Sequence, residues 1–271
     1  MGKRIMVAVI FVPLIILMLF FAPSWVLPVV VSGLAMIALH EVLWSTGFVK
    51  NPKISGLAIV LAGLIPFWVF VGERMLPALV TLFLYVVLLF AVAMKSHYTV
   101  TMEKMGGSFF LSIVIPYFLS TFIRIREMPD WRYYILLPFV VAWLSDAFAL
   151  FAGMAFGKHK LAPELSPKKT VEGAVGGFAG AVVCTVVYGA VLQFGFQVPV
   201  NYLYLAVYGA LGSAASQLGD LAFSYIKREY GLKDFGNILP GHGGILDRFD
   251  SVIFCAPLME LLLHLLPAVG V

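Results

Sequence analysis

The chain has 271 residues, of which 62% are hydrophobic and 12% are charged. Soluble domains run at about 45–50% apolar and about 25% charged, so this composition excludes an ordinary soluble domain and predicts an integral membrane protein. The formal net charge of +4 is spread over the polar loops and forms no nucleic-acid footprint.

Nine apolar windows follow one another along the chain. They predict membrane helices near 5–21, 25–43, 56–72, 76–94, 108–123, 133–155, 173–194, 202–226 and 249–268. The start, MGKR and then an apolar run from Ile5 to Ala22, is longer than a signal-peptide core. Pro23, Ser24 and Trp25 follow it, so it reads as an uncleaved first span. The second span comes so soon that a re-entrant hairpin is the alternative. Backbone at membrane depth must be hydrogen-bonded internally, which favours helices throughout. "HEVLW" at 40–44 begins like a zinc-protease helix, but Trp44 stands where the second His is required. Cys184 and Cys255 each sit in an apolar run and suggest no disulfide framework or metal cluster.

Basic residues orient the spans. With the N-terminus inside, fourteen of the 18 Lys and Arg residues fall on the inner side, and Arg74, Arg124, Arg126 and Arg132 fall outside. The expected fold is therefore an all-α integral membrane protein of about nine transmembrane helices with a cytoplasmic N-terminus. Residues 1–130 would form an N-terminal scaffold, and 131–271 a catalytic region. The polar loops 156–172 and 227–248 of that region would face the cytoplasm.

Polar residues inside the spans mark a site. An Asp at the centre of a membrane helix costs about 2.5–3.5 kcal/mol on insertion scales. Span 6 holds Ser145 and Asp146. Span 8 holds Ser213, Gln217, Asp220, Ser224 and Lys227, whose spacings of four and three residues put them on one helix face. Span 9 opens with Asp247 and Asp250, again on one face. Helix–helix hydrogen bonding is the alternative role for the serines, and a solvated helix start for Asp247 and Asp250. Four carboxylates on three helices can serve a hard cation such as Mg²⁺, which takes oxygen ligands and shares them with substrate phosphates. The five His residues do not cluster, which argues against zinc.

The loops supply the opposite charge. "GKHKLAPELSPKKTVEG" carries Lys158, Lys160, Lys168 and Lys169, with Thr170 a candidate helix cap. A topology-setting loop explains the lysines equally well. "GLKDFGNILPGHGGILDRFD" places Lys233, Asp234 and Arg248 around a glycine-rich turn, which admits close backbone approach to a ligand or simply a tight turn. Cations and carboxylates together suit a metal–polyphosphate complex. No Walker loop is present; Gly153 to His159 has the wrong spacing and ends in His159 where Ser or Thr belongs.

Three blocks of the chain resemble one enzyme family. Ser224, Lys227, Arg228, Lys233, Asp234, Pro240, Gly241, His242, Gly243, Gly244, Asp247, Arg248 and Asp250 meet every fixed position of the motif of the phosphatidate cytidylyltransferases, the CDP-diacylglycerol synthases. "SDAFALFAGMAFGKHKLAPELSPKKTVEG" and "SQLGDLAFS" resemble two further blocks, with Ala147 where Thr is common. The resemblance covers roughly residues 145–251. It implies the reaction of CTP with phosphatidate to CDP-diacylglycerol and pyrophosphate, dependence on Mg²⁺, and a dimeric assembly in a membrane. A bacterial inner membrane, with the site facing the cytoplasm, is the expected location.

On this reading Asp220, Asp247, Asp250, Lys227 and Arg228 are the catalytic candidates. Asp220 and Asp247 would bind Mg²⁺, with Asp250 and Asp146 as further ligands or supports for a second cation. Lys168, Lys169, Ser224, Lys233, Asp234, Gly241, His242, Gly243, Gly244 and Arg248 would bind substrate. Three rivals have distinct signatures: a CTP-dependent lipid kinase, a transporter, which should show repeated halves, and an intramembrane aspartyl protease, whose Gly-x-Gly-Asp arrangement is missing before Asp220.

Overall fold

A computed structural model of the chain describes residues 2–72, 75–236, 238 and 243–270. Each of the nine apolar windows falls mainly on helix, the window 108–123 on two of them. The helices are α1 (Gly2–Phe21), α2 (Val26–Ser45), α3 (Pro52–Val71), α4 (Met75–Met94), α5 (Met102–Leu119), α6 (Thr121–Glu127), α7 (Leu137–Phe156), α8 (Val171–Phe196), α9 (Tyr202–Glu229) and α10 (Leu246–Leu265). The α5–α6 stretch replaces one expected span, with Ser120 at the joint donating its hydroxyl back to Pro116 O at 2.6 Å.

Six helical stretches among the described residues are long and apolar enough to cross a membrane: Val26–Ser45, Pro52–Val71, Leu76–Met94, Met102–Glu127, Trp131–Phe156 and Val171–Phe196. The protein is a mostly helical integral membrane protein. α9 and α10 stand outside that group of six, and they carry the Ser, Gln, Asp and Lys residues that make a helix less apolar.

Local chemistry starts several helices. Asn51 caps α3 by accepting from Lys53 N at 3.0 Å, and Pro52 sits at the first helical position, where its missing N–H costs nothing. Thr170 caps α8, its Oγ1 accepting from Gly173 N at 3.1 Å.

One departure from an all-helical chain lies between α7 and α8. The polar loop folds as an antiparallel hairpin, β1 (Lys160–Ala162) with β2 (Ser166–Thr170). Its base is closed by Val171 N donating to His159 O at 2.9 Å. The Glu172 carboxylate also accepts from Lys158 N at 3.0 Å and from His159 N at 3.2 Å. The loop itself is polar and carries no run of apolar residues to hold a helix, and pairing satisfies its backbone instead.

The chain divides into two compact units, Met1–Arg124 with Tyr230–Arg248, and Ile125–Glu229 with Phe249–Val271. In the first, α3 packs against α2, α4 and α5. α4 contributes little to the interior, with 11% of its most apolar window buried against 56% for α2. In the second, α8 packs between α7 and α9. Small residues make that packing close. A Cβ on Gly177 would lie 2.7 Å from Ser145 O on α7. On α9, a Cβ on Gly219 would lie 2.6 Å from Asp250 O, so only glycine lets α10 approach here. Close backbone approach of this kind is how membrane helices gain van der Waals contact when lipid competes equally for apolar surface.

Candidate active site

The second unit assembles most of the polar side chains that the sequence singles out. The expected stripe on α9 faces inward: Ser213, Ser216, Ser224 and Lys227 are all buried. Ser213 Oγ meets Ser145 Oγ at 2.6 Å. Gln217 donates to Ser213 Oγ and to Ala174 O, both at 3.1 Å. These bonds tie α7, α8 and α9 together, so Ser145, Ser213 and Gln217 act as helix–helix links. Ser216 Oγ is buried without a hydrogen-bond partner among the described residues.

Asp220, one turn beyond Gln217 on α9, meets the Lys169 ammonium in an ion pair. It also accepts from Ser224 Oγ at 3.3 Å. Lys169 reaches it because the hairpin presents β2 beside α7 and α8. On α10, Asp250 is 8% exposed; its Oδ1 accepts from Ser251 N at 2.8 Å and its Oδ2 lies 3.9 Å from Lys227 Nζ. On α7, Asp146 Oδ2 accepts from Ser251 Oγ at 2.9 Å. Asp146 lies within electrostatic reach of Asp220 and Lys169, and Asp250 within reach of Asp220, Lys227 and Asp146. Three carboxylates and two ammonium groups thus alternate in one region, leaving one formal negative charge.

That donor set bears on a metal. Among the described residues no three His, Cys, Asp or Glu side chains close into a metal cage. Mg²⁺ does not need one: it usually takes one or two carboxylates and completes its octahedron with waters and substrate phosphates. Carboxylate oxygens from α7, α9 and α10, with lysines at hand for phosphate, fit a metal that arrives with or meets a phosphate ligand. They could not hold zinc in a closed tetrahedron of nitrogen and sulfur.

Other predicted residues stand elsewhere. Arg228 is exposed and donates from Nε to Leu165 O at 3.1 Å, which latches the hairpin turn to the last turn of α9. Lys168 is exposed on β2. Lys233, Asp234 and Arg248 are exposed in the first unit. Gly241 and His242, with Pro240, lie outside the described residues.

The first unit shows how the glycine loop is built. Asp247 Oδ2 accepts from Phe235 N at 2.8 Å and from Gly244 N at 3.0 Å, drawing together the two ends of the loop. Gly243 has φ of +80°, a conformation that L side chains rarely adopt, and a Cβ there would also press on Asp247 Oδ2 at 2.9 Å. Asp247 therefore has a structural duty beside any metal it binds.

Sequence reasoning passed over Glu41. This α2 residue is 3% exposed, and its two carboxylate oxygens accept from Ile245 N at 2.9 Å and Leu246 N at 2.8 Å. It caps the N-terminus of α10, where the orphan amides and the helix dipole both favour an anion. Ser45, one turn further along α2, donates its hydroxyl to Phe235 O. The available signal was a lone carboxylate inside the apolar window 25–43, the same argument that marked Asp146. Ser251, which holds Asp146, was passed over too, and nothing in its neighbourhood of the sequence signals that role.

Comparison with known proteins adds an independent line. A model of the cytidylyltransferase family matches residues 2–266. The chain is 38% identical over 243 residues to the phosphatidate cytidylyltransferase of Bacillus subtilis (strain 168), covering 88% of each chain. It is 36% identical over 237 residues to the enzyme of that name from Staphylococcus haemolyticus (strain JCSC1435), covering 85% of this chain and 86% of the relative. For the enzyme of that name from Staphylococcus aureus (strain COL), identity is 35% over 246 residues, covering 88% and 90%.

Proposed function

We infer this protein's reaction from the family to which it belongs, the cytidylyltransferase family: it transfers a cytidylyl group from CTP to phosphatidate, forming CDP-diacylglycerol and releasing pyrophosphate. The observation that carries this reading to particular residues is the interleaving of Asp146, Asp220 and Asp250 with Lys169 and Lys227 in the second unit.

A phosphate oxygen of phosphatidate attacks the α-phosphorus of CTP; a P–O bond forms to the lipid phosphate, and the bond to the β-phosphate oxygen breaks. The nucleophile is already an anion, so no covalent enzyme intermediate is required. Positioning and charge neutralisation remain for the protein. Lys169 and Lys227 neutralise phosphate oxygens, and both sit beside a carboxylate that holds them in place until substrate comes. Asp220, with Asp146 and Asp250 beside it, would hold Mg²⁺, and Asp247 is a further candidate. When bound, Mg²⁺ supplies Lewis-acid polarisation of the phosphoryl group and charge compensation for the leaving pyrophosphate. Arg228, Lys168, Lys233 and Arg248 add positive charge for the triphosphate. Gly243 and Gly244 would let the backbone come close to the nucleotide, and Gly241 and His242 are further candidates for binding it.

The same reading includes nine spans, a cytoplasmic N-terminus, a bacterial inner-membrane location with the site open to the cytoplasm, and a homodimer. The fourteen-to-four split of basic residues supports the orientation. The test is purified protein with phosphatidate, Mg²⁺ and CTP labelled on either the α- or the γ-phosphate. A lipid-soluble product labelled only from the α-position is expected. Label passing from the γ-position would instead make the protein a lipid kinase.

A further inference from the structure

The first unit holds a cavity of about 740 Å³ that the reaction above does not use. Four of its lining residues are Lys50, Lys53, Lys95 and Lys104. They come from the segment before α3, the start of α3, the turn after α4 and the start of α5, so the fold, not one charged run, collects them. Among the described residues none of the four has a carboxylate within ion-pair distance. Lys104 is held in place by donating from Nζ to Thr99 O at 3.2 Å. Uncompensated like charges around one space repel, and an anion in that space relieves them.

The remaining lining decides which anion. Leu88, Ala91 and Val92 of α4 supply an apolar wall. α4 is the least buried of the six stretches long and apolar enough to cross a membrane, and its Phe83, Leu84, Val87 and Leu88 are exposed. The wall thus runs on into a surface suited to acyl chains, which a soluble phosphate would leave unused. The volume lies within the range of about 300–1,000 Å³ common for small-ligand sites. Topology alone asks for lysines near the membrane ends, but not for a cavity that gathers them.

We propose that this cavity binds the phosphate of an anionic membrane phospholipid among Lys50, Lys53, Lys95 and Lys104, with the lipid's acyl chains lying along Leu88, Ala91 and Val92. The site is separate from the residues assigned to cytidylyl transfer and does not depend on that assignment. A lysine near an anionic headgroup changes affinity by about fivefold, so four act together over several hundred-fold by the same rough scale.

The test is native mass spectrometry of the full chain in detergent, titrated with dioctanoyl phosphatidylglycerol. Its phosphodiester lacks the monoester oxygens that cytidylyl transfer needs, and detergent removes membrane orientation from the comparison. A one-to-one adduct is expected, about fivefold weaker for each Lys→Gln change and retained when the four lysines become arginine. Asp220→Asn should leave the adduct intact, even if it abolishes product formation. Equal binding by the fourfold Lys→Gln variant overturns the proposal, as does an equally strong adduct with dioctanoyl phosphatidylcholine. Displacement of the lipid by equimolar inorganic pyrophosphate overturns the lipid source.

Discussion

Replacing Glu41 by Gln tests whether the glycine loop must be held for the reaction to run. The carboxylate accepts two backbone N–H bonds, from Ile245 and Leu246, in a nearly dry place. A hydrogen bond to a charged group is worth about 1.5–3 kcal/mol. Gln keeps the shape and one acceptor oxygen, but it turns an amide N–H₂ toward the second backbone donor. One bond is lost and two donors face each other, a cost of about 2–3 kcal/mol. Gly236 packs close beside this carboxylate, where a Cβ would sit 2.7 Å from Glu41 Oε1, so the side chain has little room to turn that way. If that energy is needed to order the loop in the transition state, kcat/KM for CTP falls by about 30- to 150-fold. The assay is initial-rate cytidylyl transfer at varied CTP, beside limited proteolysis of the segment 236–246. Loss of rate with new cleavage in that segment fits a positioning residue. Glu41→Gln with wild-type kcat/KM and an uncut loop would refute the reasoning.

Asp220→Asn should still insert into the membrane but lose Mg²⁺-dependent product formation, measured with labelled CTP; wild-type activity removes Asp220 from the site. EDTA should abolish the wild-type rate and added Mg²⁺ restore it. Lys227→Met leaves the Asp250 carboxylate buried without its ammonium partner, at a cost of about 3–5 kcal/mol. Denaturation in micelles should show this loss, and Lys227→Met with Asp250→Leu should recover stability but not activity. Gly219→Ala pushes a methyl group against Asp250 O, a backbone atom that cannot swing aside, and should lower stability by about 1–3 kcal/mol; an unchanged melting temperature would contradict the close approach of α9 and α10.

What was legible in the sequence was local or periodic. The helices announce themselves through runs of about twenty apolar residues, and the inward stripe on α9 through its spacing of three and four. Thr170 was readable as a cap because its partner, Gly173 N, is three residues away. Glu41 was not, because its donors are backbone amides 204 and 205 residues further on. Ser251 and Asp146, 105 residues apart, met the same difficulty. Asp247 looked like a ligand because carboxylates in that position suit a cation. Its bonds to Phe235 N and Gly244 N come from a turn whose path no pattern of side chains encodes. The hairpin escaped notice because strands of three and five residues, rich in Lys and Pro, leave no alternating signal.

The hairpin between α7 and α8 also provides a handle for experiments. Its base is closed by backbone contacts to Glu172 and His159, while Pro163 and Glu164 at the turn are exposed. The two native thiols are poorly placed for labelling, since Cys255 is buried and Cys184 lies within an apolar helix. A cysteine introduced at position 164 would therefore be a selective anchor for a membrane-impermeant maleimide. Labelling of right-side-out or inverted vesicles would then report which face of the bilayer the hairpin occupies, without disturbing the helices that carry the chemistry.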